Sequence, residues 1–313
     1  MGMKPMKIKD ALNIRYVDLK FVIKFDENCR MPEHKTSALR GGMGQMLLKQ
    51  NCIRDENCES CDFENECLVR RMMYAKYEIQ PPFASRGDSM GYVMECDNKK
   101  EYFRKGECLE FHLLLYGKLI VYFTQFLQAF YMLGQAGLGK EHARYRVLYV
   151  ENENGQRVVD GTQVYLQRLG VRTIDEYVME RKNALAQAGC RNEITFVTPV
   201  TLKYEGEFLK EFHAQAIVRS VLRRIYCFDC FEGLDIPLME VEEELPEIVN
   251  QEVTFESQLR FSSTMGKKMS LKGIRGSVIF DYLPEELLLA LLAGEKLHIG
   301  KNTSFGFGKY EVR

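Results

Sequence analysis

One short segment carries cysteines at a spacing that could bind a metal ion. Cys52, Cys58, Cys61 and Cys67 follow the pattern C-x5-C-x2-C-x5-C. Four thiolates can supply the complete tetrahedral set of a zinc ion, and an iron–sulfur cluster uses the same ligands. Because four thiolates leave no open coordination position, the pattern predicts a structural zinc site, with an iron–sulfur cluster as the alternative. Unligated thiols in a loop are the other interpretation.

A histidine and a lysine lie next to each other just before the first predicted helix. His34 and Lys35 precede a helix whose N-cap would be Thr36 or Ser37. Histidine titrates near neutral pH, so it can take or give a proton, and a neighbouring lysine can stabilise charge on a phosphate. The alternative for His34 is a solvated loop residue.

The C-terminal segment 294–310 combines glycines with lysines and aromatic residues. Glycine allows a close approach of the backbone, so such a loop can cradle a sugar-phosphate backbone. The alternative is a glycine cluster that closes a sheet. The candidate contact residues of this segment are His298, Gly300, Lys301, Gly306 and Gly308.

The formal net charge of −1 gives no overall support for nucleic-acid binding, but the charges are unevenly distributed. The segment 258–280 contains basic residues and no acid, whereas 240–256 is densely acidic. This asymmetry predicts one basic face that could contact phosphates, although a mixed-charge surface is an alternative. The candidates are Lys267, Lys268, Lys272 and Arg275, with Arg40 from the first predicted helix.

The composition indicates a cytoplasmic protein with no membrane partner. The chain has ten cysteines, and its first residues lack the apolar core of a signal peptide. Its most apolar run, 119–133, is interrupted by polar residues, which predicts a buried helix and not a membrane span.

The periodicity of apolar residues predicts two units with the same order of strands and helices. Residues 16–23 alternate as in a half-buried strand, and the residues after Thr36 repeat as on one face of a helix. The further elements predicted for the first unit are strands at 77–82 and 108–115, a helix at 119–133 and a strand at 145–150.

The second unit repeats this order, which predicts an α+β fold of two tandem ferredoxin-like (RRM-like, βαββαβ) domains. We expect the first domain at 1–150 with a cysteine-rich metal-binding insertion at 51–70, a linker or insertion at 151–190, and the second domain at 191–313. The elements predicted for the second domain are strands at 194–204, 251–261, 272–282 and 297–312 and helices at 208–225 and 284–292.

Four stretches of the sequence resemble a known family. They are Leu39-Arg40-Gly41-Gly42, Gly137-Leu138-Gly139, Val197-Thr198-Pro199-Val200, and the C-terminal layout that runs from Gly273 through Gly-Glu-Lys-Leu-His-Ile-Gly-Lys to Phe305-Gly-Phe-Gly308. Their order and residues are similar to those of the CRISPR repeat-RNA processing endoribonucleases of the RAMP superfamily. The C-terminal layout is the most specific of the four.

The resemblance implies a tandem ferredoxin-like fold and a reaction that needs no catalytic metal. In that reaction a 2′-hydroxyl of precursor CRISPR RNA attacks the adjacent phosphate within a repeat, leaving a 2′,3′-cyclic phosphate and a 5′-hydroxyl. The resemblance implies that His34 acts as acid or base, that Lys35 stabilises the phosphate, and that Tyr16 is the candidate for a catalytic tyrosine.

Two other functions are compatible with the sequence. The chain could be a catalytically inactive RAMP-fold subunit that binds repeat RNA within a CRISPR ribonucleoprotein complex. It could also be a thiol-cluster redox protein, an interpretation that depends on the cysteine segment alone.

Overall fold

The computed structural model describes residues 7–56, 58, 61–74, 77–83, 90–189, 192–239, 245–262 and 267–313. Its helices are α1 Thr36–Asn51, α2 Leu68–Met73, α3 Phe123–Ala136, α4 Ile174–Ala188, α5 Ala214–Glu232 and α6 Glu285–Leu297. Its strands are β1 Arg15–Phe25, β2 Cys29–Arg30, β3 Tyr92–Glu95, β4 Tyr102–Phe103, β5 Cys108–Tyr116, β6 Tyr145–Glu151, β7 Arg157–Asp160, β8 Gln163–Val164, β9 Arg172–Thr173, β10 Glu193–Val200, β11 Lys203–Tyr204, β12 Glu207–Phe208, β13 Ile248–Ser262, β14 Lys267–Phe280 and β15 Tyr310–Val312.

The first sheet has the strand order of a ferredoxin-like domain. Its strands are arranged β3-β5-β1-β6-β7-β8, and β9 pairs with the start of β1. The sheet forms because apolar residues alternate along β1 and β5, so that one face of each is buried. Phe21 and Phe111 stack across these strands with ring centroids 5.1 Å apart, and Phe130 of α3 packs on both. The predicted first domain is confirmed in its fold.

The second sheet repeats the ferredoxin-like order with β13-β14-β10-β15. Helices α5 and α6 are rich in buried apolar residues, and the hydroxyl of Tyr310 in β15 donates to the carbonyl of Leu291 in α6 at 2.6 Å. Phe196 of β10 stacks on Phe212, with ring centroids 4.9 Å apart. The chain therefore contains two ferredoxin-like domains in tandem, as predicted.

The strands β13 and β14 form a long hairpin, which we call the arm. They pair in one continuous register from Gln251↔Val278 to Ser262↔Lys267. Because β13 is the last strand of its sheet, one of its edges is unpaired. Two large apolar side chains of β13 are exposed to solvent, Phe255 to 60% and Leu259 to 74%. The arm thus presents basic and apolar groups to solvent.

Two predicted elements differ from the structure. Residues 77–82 do not form a strand, because Pro81 and Pro82 lack the N–H groups that a strand ladder needs, and β3 takes that place in the sheet. The strand predicted for 297–312 is confined to β15, because the residues before it turn through several positive φ angles. The segment 151–190, expected to be a linker or an insertion, carries α4 and the strands β7, β8 and β9, which extend the first sheet.

In the part of the chain that the structure describes, no helix is both long and apolar enough to span a membrane.

Candidate functional site

A cleft of about 770 Å³ lies between the two domains. One wall consists of the loop before α1 and the residues that follow β3. The other wall consists of the arm, the end of β10 and the glycine-rich loop before β15. The lining residues with charged or titratable side chains are Glu33, His34, Glu95, Cys96, Asp97, Lys99, Glu256 and Arg275.

His34 lies in this cleft beside a lysine that is distant in sequence. The Nζ of Lys99 is 3.0 Å from Nδ1 of His34, and the His34 side chain is 25% exposed. Burial and the positive charge of Lys99 lower the pKa of the His34 imidazole, against the smaller opposing effect of Glu33. Because a lysine ammonium can only donate, Nδ1 accepts its hydrogen bond, and the proton of the neutral ring lies on Nε2. His34 is thus held in its neutral form beside a cation.

Lys35 does not face the cleft but holds the two loops that form one of its walls. Its side chain is fully buried, and Nζ donates to the carbonyls of Pro32 and Glu33 at 3.2 Å and of Asn98 at 2.8 Å. Burial lowers its pKa. The carbonyls of Glu33 and Asn98 immediately precede His34 and Lys99, so Lys35 fixes the spacing of that pair. In this structure Lys99, and not Lys35, is the lysine placed to meet a phosphate.

The arm brings an arginine to the opposite wall of the cleft. Arg275 forms a salt bridge with Glu256, whose Oε1 is 3.3 Å from Nη1 of the arginine. Glu256 also acts on His34 across the cleft, because its negative charge favours the imidazolium and so raises the pKa of that ring. Lys267, Lys268 and Lys272 lie farther along β14 and are exposed. The predicted basic segment therefore forms an accessible surface that leads away from His34.

The glycine-rich loop is shaped mainly by its contacts with the protein itself. A Cβ on Gly308, whose φ is +74°, would lie 1.8 Å from the carbonyl oxygen of Ile299, and one on Gly306 would lie 2.6 Å from that of Met94. Gly306 lines the cleft, whereas Gly300 and Gly308 do not. Lys301 is exposed beside the ring of Phe208. Close packing of the protein backbone thus explains Gly300 and Gly308, and only Gly306 also borders the cleft.

Arg40 projects from α1 toward the same loop. Its Nε donates to the hydroxyl of Ser304 at 3.2 Å, and its guanidinium lies 4.3 Å from the centroid of Phe305. Phe305 lines the cleft. Arg40 therefore lies near the part of the cleft that Phe305 lines, and it is six residues after His34 in the chain.

Tyr16 and His298 are buried at the contact between the domains. The hydroxyl of Tyr16 donates to Glu153 at 2.8 Å, and burial together with Glu153 raises its pKa well above the usual value. His298 has no exposed surface, with Nε2 2.8 Å from Glu95 and Nδ1 2.9 Å from the carbonyl oxygen of Phe307. Neither side chain can reach an RNA on the surface in this conformation. The predicted catalytic role of Tyr16 and the predicted RNA contact of His298 therefore do not fit this geometry.

The predicted metal ligands lie between α1 and α2. Cys52 follows the end of α1, Cys67 precedes α2, and all four thiols are partly exposed. Among the described residues, no group of three or more His, Cys, Asp or Glu side chains is placed to hold a metal ion. Residues 57, 59 and 60 of this segment lie outside the described residues. The metal-binding insertion is not shown, and its zinc or iron–sulfur ligand set stays a prediction.

The cleft contains residues that the sequence did not single out. Lys99 and Glu256 lie in polar stretches without a motif, and nothing in their spacing places them near His34. Lys99 is 65 positions from His34 along the chain, and the two meet only because β3 and α1 pack side by side.

Comparisons with known proteins agree with this architecture. Residues 13–174 match the family model AF_1859_N, described as an N-terminal domain, and residues 194–310 match the model of CRISPR-associated endoribonuclease Cas6. The first match covers slightly more than half of the 313 residues. A comparison with curated protein sequences finds no match.

Several solved structures have the same fold at low sequence identity. A partial Cas6-RT-Cas1–Cas2 complex is 11% identical with a TM-score of 0.54, covering 96% of this chain and 46% of that one. The Cas6 (TTHB231) product complex is 15% identical with a TM-score of 0.51, covering 95% and 99%. Thermus thermophilus Cas6 (TTHB231) is 12% identical with a TM-score of 0.50, covering 95% and 98%. The chain thus spans less than half the length of the first of these relatives.

Two ferredoxin-like domains, with a basic arm and a glycine-rich loop beside the cleft between them, define a tandem ferredoxin-like protein. Residues 194–310 belong to the CRISPR-associated endoribonuclease Cas6 family, and this match supports a place for the chain in the CRISPR repeat-RNA processing family.

Proposed function

We propose that this protein binds precursor CRISPR RNA in the cytoplasm and cuts it within the repeats without a catalytic metal. The observation that carries the proposal is the neutral His34 beside Lys99 in a cleft that Arg275 faces from the other domain. A base with a cation beside it, and a second cation on the opposite wall of the cleft, suit attack by a 2′-hydroxyl on the adjacent phosphorus.

In the proposed reaction, a phosphate that enters the cleft competes with His34 for the ammonium group of Lys99. Once Lys99 turns to the phosphate, Nδ1 of His34 is free to accept the proton of the 2′-hydroxyl. The 2′-oxygen attacks phosphorus, the P–O5′ bond breaks, and the leaving 5′-oxygen takes the proton from the imidazolium. The products are a 2′,3′-cyclic phosphate and a 5′-hydroxyl. Lys99 and Arg275 stabilise the negative charge that develops on the phosphate.

The test is cleavage of the host's own repeat RNA by purified protein in excess EDTA. We expect one discrete cut in each repeat, with a cyclic phosphate at the new 3′ end, and loss of that cut in His34→Ala. His142→Asn is the matched control, because His142 is an exposed histidine outside the cleft whose positive φ asparagine tolerates. Cutting by His34→Ala at the wild-type rate would rule out this assignment of the catalytic residue.

A second candidate is an RNA carrier, a protein of the same fold that binds repeat RNA without cutting it. The observation in its favour is that Lys35 and Tyr16, the other proposed catalytic residues, are buried. Tight binding of repeat RNA by the wild-type protein without any cut would establish the carrier. The RNA-containing and Cas1–Cas2-containing structures among its structural neighbours suggest repeat RNA and other CRISPR-associated proteins as partners to test.

We also propose that Cys52, Cys58, Cys61 and Cys67 bind a structural metal ion, with zinc preferred over an iron–sulfur cluster. The support is the spacing of the four thiols, which lie in the segment between the end of α1 and the start of α2. Metal analysis of anaerobically purified protein tests this, since zinc is colourless and an iron–sulfur cluster absorbs visible light. Less than one equivalent of either metal in a folded sample would contradict the proposal.

A further inference from the structure

An exposed phenylalanine of the small β11–β12 hairpin lies beside two lysines. Lys203 and Phe208 face each other across the two strands, and the Nζ of Lys203 is 4.4 Å from the centroid of the Phe208 ring. The Nζ of Lys301, in the glycine-rich loop, is 5.9 Å from the same centroid. Two separate segments thus bring two positive charges to one aromatic ring. We call Lys203, Phe208 and Lys301 the Phe208 patch.

The Phe208 patch is open to solvent, and its charges are not compensated by nearby acids. Phe208 is 55% exposed although two ammonium groups lie near its ring, and both lysines are exposed. Among the described residues, no carboxylate forms a salt bridge with either lysine. Glu207 pairs with Tyr204, so its side chain projects from the opposite face of the hairpin. The patch therefore offers two cations and an apolar ring to a ligand.

Two segments that line the cleft also lead to the patch. Pro199, after the middle of β10, and residues 305–307 of the glycine-rich loop are cleft residues. The N–H of Gly308 donates to the carbonyl of Pro199 at 2.9 Å, and the N–H of Lys301 donates to the carbonyl of Thr201 at 3.0 Å. The segments thus run side by side from the cleft wall to the patch. An RNA strand that leaves the cleft along them would meet the patch.

We propose that the Phe208 patch binds unpaired RNA outside the cleft, with the two ammonium groups on phosphates and the ring against a base. Basic grooves with aromatic side chains bind single strands in this way, largely independent of sequence. A base within a duplex keeps its faces stacked on its neighbours, so the ring requires an unpaired nucleotide. The exposed ring and the continuity with the cleft favour RNA over an acidic protein surface. The inference rests on the proposed binding of repeat RNA and specifies that the RNA beside the cleft is single-stranded.

The first experiment tests the two charges by measuring the affinity for labelled repeat RNA over a range of salt concentrations. A 2′-deoxy substitution at the cleavage position keeps the RNA intact. For the double variant Lys203→Gln/Lys301→Gln we expect weaker binding at low salt. The slope of log K against log salt should become shallower by about 0.7 for each phosphate contact on a single strand, or roughly 1.4 for two. Lys203→Arg/Lys301→Arg keeps both charges and should keep the slope.

A matched control separates this effect from a general loss of positive charge. Lys49→Gln/Lys105→Gln also removes two charges, and both residues are exposed lysines of the first domain that do not line the cleft. We expect this variant to bind RNA with the affinity and slope of the wild-type protein. Thermal unfolding of each variant checks that the substitutions leave the fold intact.

The second experiment tests the ring in the same binding measurement. Phe208→Leu keeps an apolar side chain but removes the aromatic face, so affinity should fall roughly tenfold with no change in the salt slope. Phe208→Tyr keeps the face and should bind like the wild-type protein. Phe63→Leu, at a phenylalanine of the first domain that is 42% exposed, is the control and should have no effect.

The third experiment locates the bound nucleotide by making single positions on either side of the cut abasic. We expect one position at which loss of the base weakens binding to the wild-type protein about as much as Phe208→Leu does. The same abasic RNA should bind Phe208→Leu no more weakly than intact RNA does, because the pair then has no contact left to lose. Additive losses at every position would contradict the stacking contact.

The outcomes distinguish this proposal from the proposed function. Equal affinities and slopes for the Lys203/Lys301 double variant and its Lys49/Lys105 control would overturn the patch, even if the wild-type protein cuts repeat RNA, and an acidic protein surface would then be the ligand to test. A wild-type protein that binds repeat RNA but never cuts it would overturn the cleavage proposal, and the binding measurements would still decide on the patch. Absence of any binding to repeat RNA would overturn both.

Discussion

At the scale of single residues, the distance between His34 and Lys99 depends on the buried side chain of Lys35, which does not line the cleft. Lys35 donates to the carbonyls that precede both residues, at 3.2 Å for Glu33 and 2.8 Å for Asn98. A buried ammonium group with three carbonyl partners is a strong positional constraint. The effect of Lys35 on the proposed reaction therefore acts through the placement of the other two residues.

The replacement Lys35→Met should reduce the rate of cleavage more than the affinity for RNA. It leaves three carbonyls without a donor and lets the two loops move, and small misplacements of reacting groups can slow an enzyme roughly a hundredfold. Single-turnover cleavage at saturating RNA, together with direct binding, separates the two effects. Lys105→Met, at an exposed position, is the control. A normal rate in Lys35→Met would show that the spacing does not depend on this lysine.

The pH dependence of cleavage should reflect the lowered pKa of His34. Burial, Lys99 and, as the smallest effect, Lys35 disfavour the imidazolium of His34. The carboxylates of Glu33 and Glu256 favour it, but they do not outweigh the other effects. As a base the ring must be neutral, so the rate should rise with pH, with the midpoint of the rise below the ordinary histidine pKa of 6.5. A rate that instead falls through this range would assign His34 as the acid.

Replacement of Lys99 by glutamine should move that rise to higher pH. Without the ammonium group, the imidazolium is less disfavoured and the pKa of His34 increases. The rate at the plateau should also fall, by roughly a hundredfold if Lys99 stabilises the phosphate as an oxyanion-hole donor does. Rate–pH profiles of wild type and Lys99→Gln check both effects. An unchanged pH profile would mean that Lys99 does not influence the reacting imidazole.

At the scale of elements, the loop between α6 and β15 owes its path to the packing of its glycines. Gly308 has a φ of +74°, and its N–H donates to the carbonyl of Pro199 at 2.9 Å. The loop runs against the backbone at the end of β10, which places Phe305 and Gly306 at the cleft. The loop therefore forms part of the cleft wall through its fit to the protein, before any RNA is bound.

The replacement Gly308→Ala should destabilise the protein by at least about 2 kcal/mol, because a Cβ at this positive φ would overlap the carbonyl of Ile299. Gly161→Ala is the matched control: its φ is +58° and no atom lies within 4 Å of the added Cβ. We expect the control to cost only about 1 kcal/mol, the strain of the backbone alone. Denaturant midpoints measure both. Equal losses would show that the close approach can relax.

At the scale of the whole molecule, partly buried ion pairs connect the two domains. Lys296 of α6 lies 2.8 Å from Asp18 of β1 and 2.7 Å from Glu153. A second group pairs Glu95 with His298 and Lys309. Burial would raise the pKa of the Glu95 carboxyl, but its hydrogen bond with His298 and the charge of Lys309 outweigh burial and hold the pKa well below its usual range. These contacts determine how the walls of the cleft face each other.

Removal of Lys296 should be far more costly than removal of an exposed lysine. Lys296→Met removes the cation that the half-buried Asp18 shares with Glu153, and we expect a cost of roughly 1 to 3 kcal/mol, between that of an exposed and of a fully buried pair. Lys182→Met removes a half-exposed lysine that pairs with the exposed Glu285, and it should cost less. Thermal and denaturant unfolding of both variants provide the comparison. Similar losses would mean that water reaches the buried pair.

Acid should weaken the contact between the domains. Because the folded pKa of Glu95 lies below the ordinary glutamate value of 4.5, the stabilising effect is complete above that pH and is lost as the pH falls toward the folded pKa. Unfolding temperatures of wild type and Glu95→Gln, measured from neutral pH downward, should therefore converge in acid. A constant difference between them would exclude a contribution from the ionised Glu95.

Local patterns were sufficient to predict most of the fold. The alternation in residues 16–23 and the helical spacing after Thr36 arise from the burial of one face, which any neighbour in the sheet can satisfy. The same reasoning located β10, β13, β14 and α6, and the C-terminal residues were sufficient to indicate the family. This reasoning was wrong for residues 77–82, where two prolines prevent a strand although the pattern is extended. It was also wrong for the strand predicted at 297–312, of which only β15 forms.

The sequence alone therefore determined the two ferredoxin-like domains, the family and the candidacy of His34, because these depend on residue type and short-range spacing. Only the tertiary structure decided which charged groups are accessible. It buried Lys35, Tyr16 and His298 and brought Lys99 beside His34 and Arg260 beside Phe305. Burial and ion pairing depend on contacts between residues far apart in the chain, so the spacing of neighbouring residues carries no information about them.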